Sequence, residues 1–374
     1  MIGRRRFLGA ASVGLVSPWM AGRPVPGQLM APASDAQIVR ILEEARTNGR
    51  RLPGMIGAIV RGERVAAIGA SGVRKVGSPE PIRVEDLVHL GSCTKAMTAT
   101  LIGTLVDEGK LRWGQTIEET FAGRPAKIHP DFRPVTLRQL LTHRSGMAAN
   151  APWWAPRWGS SPTEQRRTLA AQVLQAAPAA KPGKTFTYSN LGYVVAGLMA
   201  EEAARAPWDQ LLRRRVFEPL GMATAGFGPP GAPGKDDQPW GHRVMGDETR
   251  AIRVDNPPWM GPAGTVHCSI SDWARFASFH LRGALGDAQL LKPETLRALH
   301  TPEPGQTYAG GWIVRDPSWA NGPTLSHSGS NTSWFCTICL APARDLALLV
   351  ATNAAGGDTG AACDSAIKGM IALS

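Results

Sequence analysis

The chain has 374 residues, of which 43% are hydrophobic and 19% are charged, and its formal net charge is +11. This composition is that of a globular protein with a large core, and it differs from that of a disordered or membrane-embedded chain. Basic residues are not clustered among aromatic ones, which argues against a nucleic-acid partner.

The first 33 residues have the features of an export signal. Three arginines at residues 4–6 precede Phe-Leu and a mildly apolar run, which Pro18 interrupts before it reaches the length of a spanning helix. Paired arginines before Phe-Leu resemble a twin-arginine signal, and residues 31–33 offer a cleavage site between small residues. We therefore expect export to a bacterial periplasm and a mature domain, residues 34–374, without stable membrane insertion.

Strands are predicted near both ends of the chain, with helices between them. Residues 55–60 and 65–68 flank a turn as a β-hairpin, and residues 334–340 and 346–352 flank a second turn around Pro342. Helical spacing of apolar residues and suitable stop signals predict helices at residues 35–48, from Ser92 to Gly109, 191–204, 271–281, 293–300 and in a small-residue segment at the C-terminus.

The simplest packing of these elements is an α+β fold. It joins the strands of both chain ends in one antiparallel sheet flanked by helices, with roughly residues 110–260 inserted as a helical subdomain. Proline and glycine dominate residues 226–264, which are expected to be loop.

The five cysteines are an odd number and do not make a disulfide framework. Cys336 and Cys339 form a C-x-x-C, but they lie in a predicted strand, where positions i and i+3 point to opposite faces. The eight histidines show no metal-ligand spacing. We therefore expect buried free thiols, no metal site and no cofactor.

Ser92 and Lys95 form an S-x-x-K at the start of a predicted helix. Residues three apart share a helix face, so the lysine can activate the hydroxyl of the serine if burial or neighbouring cations keep it neutral. The other interpretation is that Ser92 caps the helix and Lys95 is solvated. The spacing alone does not decide, because Ser365 and Lys368 have the same one.

Two further short motifs follow in a fixed order. Tyr188-Ser189-Asn190 is a Y-x-N just ahead of a predicted helix, and His327-Ser328-Gly329 is an H-x-G just ahead of a predicted strand. Tyr188 is the only one of three tyrosines with an asparagine two positions later. The order of the three motifs and their contexts distinguish Ser92 from Ser365.

This order resembles the serine β-lactamase and penicillin-binding-protein superfamily, and within it the class C β-lactamase-related branch with its D,D-carboxypeptidases, amidases and esterases. The resemblance extends over roughly residue 36 to the C-terminus. It includes the L-L-T-H-R-S-G segment, Pro182-Gly183 and the segments at residues 261–276 and 350–353. It implies a β-lactamase/transpeptidase-like fold.

The resemblance also implies a role for each motif residue. Ser92 is the acylated nucleophile, Lys95 and Tyr188 move its proton, and Asn190 binds substrate or orients Lys95. His327 stands where many relatives carry a lysine, and it keeps the local field positive or relays protons.

The same resemblance places an oxyanion hole at the backbone N–H groups of Ser92 and Ser330, the residue just past Gly329. His143, in the L-L-T-H-R-S-G segment, is interpreted as a buried, hydrogen-bonded structural residue. The tryptophans at positions 153, 154 and 158 line an acyl-group pocket or cap the core of the helical subdomain, and both interpretations stay open.

The H-S-G in place of K-T-G points away from strong β-lactamase activity, because a histidine is only partly charged near neutral pH and holds a substrate carboxylate less firmly. We expect a serine hydrolase that cleaves an ester, amide or lactam bond of a small molecule or peptide through an acyl-enzyme. The alternative is a non-catalytic, penicillin-binding-type ligand-binding or sensor domain. The oligomeric state is left open.

Overall fold

The computed structural model describes residues 33–48, 51–122, 127–151, 161–232, 235–287 and 289–374. Nearly all of the expected export signal and the three tryptophans at positions 153, 154 and 158 lie outside these residues, so both remain predictions. None of the helices in the described segments is long and apolar enough to cross a membrane.

The described residues form eleven α-helices, joined in places by short 3₁₀ turns. In chain order they are α1 (Asp35–Thr47), α2 (Thr94–Asp107), α3 (Ile117–Phe121), α4 (Leu137–Leu141), α5 (Pro162–Val173), α6 (Asn190–Ala204), α7 (Trp208–Leu212), α8 (Gly261–Gly264), α9 (Ile270–Ala284), α10 (Pro293–His300) and α11 (Thr359–Ala372).

Twelve strands lie in the same described segments. They are β1 (Gly54–Arg61), β2 (Arg64–Gly72), β3 (Leu87–His89), β4 (Gly226–Phe227), β5 (Gly241–Met245), β6 (Glu248–Ile252), β7 (Val266–Ser269), β8 (Ile313–Arg315), β9 (Thr324–Ser330), β10 (Phe335–Ala341), β11 (Leu346–Thr352) and β12 (Ala354–Ala355).

The main sheet joins the two ends of the chain, as the sequence predicts. Its six strands run in the order β2-β1-β11-β10-β9-β8, and all neighbours are antiparallel. Strand β1 pairs with β11 from Met55↔Thr352 to Val60↔Ala347. The sheet therefore brings β9, which carries the H-S-G, into the framework built by the two terminal hairpins.

Both faces of this sheet are buried, which explains the continuous apolar run of β11. Leu348 and Val350 face a core shared with α1 and α11, whereas Leu349 faces a second core that contains Phe276 of α9. A third hydrophobic core lies mainly among the helices between residues 99 and 299, and it includes Val194 and Val195 of α6. Helix α2, which starts just after Ser92, contributes to the second and third cores and thereby joins the sheet to the helices.

One local prediction is wrong and another is incomplete. The segment 226–264 is not only loop, because β5 and β6 form a hairpin with Met245↔Glu248 next to the two-residue turn Gly246-Asp247. Gly246 has a φ of +61°, which such turns require and which glycine adopts without strain. The H-S-G precedes β10, as predicted, but it also lies inside a strand of its own, β9, whose small polar residues give a weak strand signal.

Candidate active site

Ser92 lies in a tight turn that leads directly into α2. Residues Gly91–Cys93 form a 3₁₀ turn, and Gly91 has a φ of +46°, in the left-handed region that favours glycine. Cys93 occupies the N-cap position of α2, and no side chain caps that helix end. Lys95 is fully buried. The interpretation of Ser92 as a cap and of Lys95 as a solvated residue is therefore wrong.

Lys95 is surrounded by three oxygen atoms. Its Nζ lies 3.0 Å from Ser92 Oγ, 2.7 Å from Asn190 Oδ1 and 2.8 Å from the carbonyl oxygen of Ala263. The oxygen of Asn190 is identified by its own amide group, which donates to Asn150 Oδ1 at 2.7 Å. Two of the three neighbours of Nζ can therefore only accept hydrogen bonds, while the Ser92 hydroxyl can also donate one.

Burial lowers the pKa of the Lys95 ammonium to about 7. A neutral amine has two N–H groups and one lone pair. With the N–H groups directed at Asn190 and Ala263, the lone pair faces the hydroxyl hydrogen of Ser92. This arrangement can take a proton from the serine at neutral pH, which is what a general base must do.

Tyr188 lies two residues before α6, and the centre of its ring is 4.8 Å from Lys95 Nζ. Burial raises the pKa of its phenol above the ordinary value, and a hydrogen bond with the Ser92 side chain partly opposes that rise. Tyr188 is therefore protonated at neutral pH. It can donate a hydrogen bond or a proton, whereas Lys95 is the group that can accept one.

His143 packs against the ring of Tyr188. Its ring centre lies 4.2 Å from that of Tyr188, and its Nδ1 accepts a hydrogen bond of 3.0 Å from the backbone N–H of Ser189. Burial holds the pKa of the imidazole well below its usual range, and the charge of Lys95 contributes to the same shift. His143 is thus a buried, hydrogen-bonded residue, as the sequence predicts, although it has a φ of +58°.

His327 is buried beside this group, and its ring centre lies 6.3 Å from that of Tyr188. Its Nδ1–H donates to the carbonyl of Ser328 at 2.7 Å, and its Nε2 accepts from the hydroxyl of Tyr308 at 3.0 Å. Burial, followed by the charge of Lys95, lowers the pKa of His327 to about 3. The expectation that His327 keeps the field positive is therefore wrong, because the ring is neutral near pH 7.

Tyr308 is a neighbour of the site that the sequence analysis missed. The three tyrosines of the chain, Tyr188, Tyr193 and Tyr308, all pack around His143, with ring centres 4.2, 5.3 and 4.5 Å from it. Tyrosine is scarce in the sequence, but scarcity alone does not indicate where the three residues lie relative to one another. Only the folded chain shows that they lie together.

The backbone segments around Ser92 and Ser330 are in close contact. A Cβ atom on Gly91 would lie 2.3 Å from the backbone nitrogen of Ser330, and one on Gly329 would lie 2.9 Å from that of Ser92. Glycine is thus required at both positions, because any side chain would separate the two segments. The fold therefore brings together the backbone N–H groups of Ser92 and Ser330, which the family resemblance assigns to an oxyanion hole.

Ser365 and Lys368 lie on α11, which packs on α1 and the far face of the main sheet. Ser365 is exposed. Lys368 is exposed as well, so the three-residue spacing recurs here without a buried lysine.

All five cysteines are free and buried, as expected. The sulfur atoms of Cys93 and Cys336 are 3.6 Å apart. In the segments that the structure describes, no three His, Cys, Asp or Glu side chains are grouped so that they could hold a metal ion.

Solved structures of related proteins share this architecture. A penicillin-binding protein homologue from Pyrococcus abyssi, described as octameric, is 24% identical with a TM-score of 0.74, over 90% of this chain and 77% of that one. The D-amino acid amidase of Ochrobactrum anthropi is 20% identical with a TM-score of 0.71, over 90% of this chain and 97% of that one. These likenesses confirm an α+β fold of the β-lactamase/transpeptidase type.

Sequence comparison leads to the same family. Penicillin-binding protein 4 of Amycolatopsis lactamdurans is 27% identical over 304 residues, which are 76% of each chain. The sequence model of the family described as Beta-lactamase matches residues 39–368. This match supports a protein of the serine hydrolase kind, and it shows that the chain belongs to the Beta-lactamase family.

Proposed function

We propose that the protein is a serine hydrolase that cleaves an ester or amide bond through an acyl-enzyme on Ser92. The observation that carries the proposal is the position of Lys95 Nζ, which is 3.0 Å from Ser92 Oγ and is hydrogen-bonded to two groups that can only accept, Asn190 Oδ1 and the carbonyl oxygen of Ala263. This geometry supports proton removal from Ser92 by the neutral amine.

In the proposed acylation step, Ser92 Oγ attacks the acyl carbon of the substrate while its proton moves to Lys95 Nζ. The negative charge that develops on the acyl oxygen is stabilised by the backbone N–H groups of Ser92 and Ser330. The leaving group then departs with a proton from Tyr188, which recovers one from Lys95. Water hydrolyses the acyl-enzyme by the same steps in reverse.

The neutral state of His327 favours substrates that lack a carboxylate next to the scissile bond. A fixed cation at this position would attract such a carboxylate, whereas a histidine with a pKa of about 3 carries almost no charge near pH 7. The name of the D-amino acid amidase shows that a structural relative acts on an amide. We therefore place esters and amides ahead of β-lactams as substrates, and we propose that the enzyme is exported through its twin-arginine-like signal to the periplasm.

A fluorophosphonate probe tests the acyl-enzyme, because it labels activated serines covalently. We expect one adduct per chain, located on Ser92 by peptide mass spectrometry and absent from Ser92→Ala. The matched control is Ser365→Ala, which removes the exposed serine of the other S-x-x-K and should be labelled like the wild type. Absence of any adduct on the wild type, in an assay that labels a known serine hydrolase, would favour a non-catalytic binding domain.

A further inference from the structure

Asp255 is a buried carboxylate that no sequence motif singled out. It lies between β6 and α8, and its side chain is 6% exposed. Its Oδ1 accepts hydrogen bonds from Asn331 Nδ2 at 2.9 Å and from the backbone N–H of Asn256 at 2.7 Å. The Nε2 of His89 lies 3.0 Å from Oδ1 and 3.1 Å from Oδ2. One carboxylate therefore connects β3 with the turn after β9.

The first of these connections leads to Ser92. His89 is fully buried, and its Nδ1 accepts a 3.0 Å hydrogen bond from the backbone N–H of Gly91. The imidazole thus carries its proton on Nε2 and donates it to Asp255. Because Gly91 immediately precedes Ser92, this Asp255–His89 connection holds the turn that presents the nucleophile and its backbone N–H.

The second connection leads to Ser330. Asn331 directly follows Ser330, and its Oδ1 accepts hydrogen bonds of 3.0–3.1 Å from the backbone N–H groups of Ser333 and Trp334 and from the hydroxyl of Ser333. The turn also contains Thr332 with a φ of +74°, which is strained for a β-branched residue and has to be held by its surroundings. Asn331 holds this turn, and Asp255 holds Asn331.

We propose that Asp255 is a positioning residue for the oxyanion hole, an inference that rests on the proposed acylation of Ser92. Through His89 and Asn331 it sets the positions of the two backbone N–H groups, those of Ser92 and Ser330, relative to each other. The two segments are in close contact, because a Cβ atom on Gly91 would lie 2.3 Å from the backbone nitrogen of Ser330. Loss of the carboxylate should therefore weaken stabilisation of the transition state more than binding of the substrate.

Asp255→Asn separates the two connections. The amide oxygen of asparagine can still accept from Asn331, but its NH₂ group would face the N–H of His89. If His89 instead carried its proton on Nδ1, that N–H would face the N–H of Gly91 and the hydrogen bond between them would be lost. Asp255→Asn should thus retain the Ser330 side of the hole and weaken the Ser92 side, where only the oxygen shared with Asn331 is left to accept from His89, whereas Asp255→Ala loses both.

The test measures acylation by p-nitrophenyl butyrate under single-turnover conditions, which separates the acylation rate constant from the dissociation constant of the substrate. We expect the rate constant to fall on the order of 100-fold in Asp255→Ala and about tenfold in Asp255→Asn, with a nearly unchanged dissociation constant. His89→Phe should resemble Asp255→Asn, and the double variant His89→Phe/Asp255→Asn should be no slower than either single variant. Circular dichroism verifies that each variant is folded.

The matched control is Asp272→Asn, which changes another buried carboxylate, one that accepts hydrogen bonds from Thr224 and pairs with Arg275 instead of bonding to His89 and Asn331. It should acylate like the wild type even if its melting temperature falls. An acylation rate constant of folded Asp255→Asn within about threefold of the wild type would overturn the inference, as would equal losses in Asp255→Asn and Asp272→Asn. If the wild type is labelled by fluorophosphonate and Ser92→Ala is not, the proposed function stands even in those cases.

Discussion

The Nζ of Lys95 lies 2.7 Å from Oδ1 of Asn190, although 95 positions separate the two residues in the chain. This contact connects the first turn of α2 with the first residue of α6. Because an amide oxygen can only accept a hydrogen bond, the contact also directs one N–H of the lysine toward Asn190. The proton-accepting side of the amine is thereby left to Ser92.

The rate of acylation should rise with pH through about 7. Lys95 acts as a base only when neutral, and burial lowers its pKa to about 7, so acylation is slow below this pH and reaches a plateau above it. The single-turnover rate constant with an uncharged ester, measured from acid to alkaline pH, checks this. Lys95→Ala should be slower than the wild type by on the order of 1000-fold on the alkaline plateau, with a smaller difference at acid pH, and a wild-type profile that is flat between about pH 5 and pH 9 would contradict the assignment.

The same group should make the folded protein more stable at alkaline pH. Lys95 loses its proton near pH 7 in the folded state but near 10.5 in the unfolded chain, so the unfolded state binds more protons in this window. The free energy of unfolding therefore increases with pH there, by up to about 1.4 kcal/mol per unit. Urea unfolding of wild type and Lys95→Met at several pH values isolates this contribution, because other titrating groups cancel in the difference. Equal slopes for the two proteins would show that the lysine is not neutral when folded.

Asn190→Ala should reduce the acylation rate constant on the order of 10- to 100-fold with little change in substrate affinity. The variant removes one acceptor of Lys95, so the amine is no longer oriented with its lone pair at Ser92. Asn150→Ala, which removes only the partner of the Asn190 amide, should have a smaller effect in the same direction. A larger loss of substrate affinity than of rate in Asn190→Ala would instead indicate that Asn190 binds substrate.

The sequence predicts the parts of the site that local rules determine. Three-residue spacing on a helix is enough to place Ser92 and Lys95 together, and the periodicity of the terminal hairpins is enough to predict the central sheet. The carbonyl of Ala263 could not be predicted, because it is a backbone group 168 positions from Lys95 and any residue type carries one. Such contacts depend on the path of the loops, which no pattern of side chains encodes.

The charge of His327 is a second property that the sequence could not decide. Its position opposite the S-x-x-K follows from motif order, but its protonation depends on burial and on the positive charge of Lys95. His89 and Asp255 were missed for a related reason, since each is an ordinary residue type in an ordinary position until the fold brings them together. Burial and long-range pairing are thus what the structure adds to the motifs.

Turnover of p-nitrophenyl esters should exceed that of the β-lactam nitrocefin, because neutral His327 provides no cation for the lactam carboxylate. His327→Lys should shift this ratio toward nitrocefin, by on the order of tenfold if the introduced ammonium is charged. His327→Gln, which is uncharged like the native ring, is the matched control and should leave the ratio nearly unchanged. Both substrates are compared by kcat/KM on the same preparation. A wild type that prefers nitrocefin would overturn the ester and amide preference.

Gly91→Ala should abolish most activity while the control Gly77→Ala should not. Both glycines have positive φ values, +46° and +83°, so alanine costs on the order of 1–3 kcal/mol of backbone strain at either position. They differ in surroundings, because a Cβ on Gly91 would lie 2.3 Å from the nitrogen of Ser330, whereas one on Gly77 would meet nothing within 4 Å. Gly91→Ala must therefore displace one oxyanion donor and should lower the acylation rate constant on the order of 100-fold beyond any effect on stability. Equal rate constants for the two folded variants, measured beside their urea unfolding curves, would show that the contact between Gly91 and Ser330 does not contribute to transition-state stabilisation.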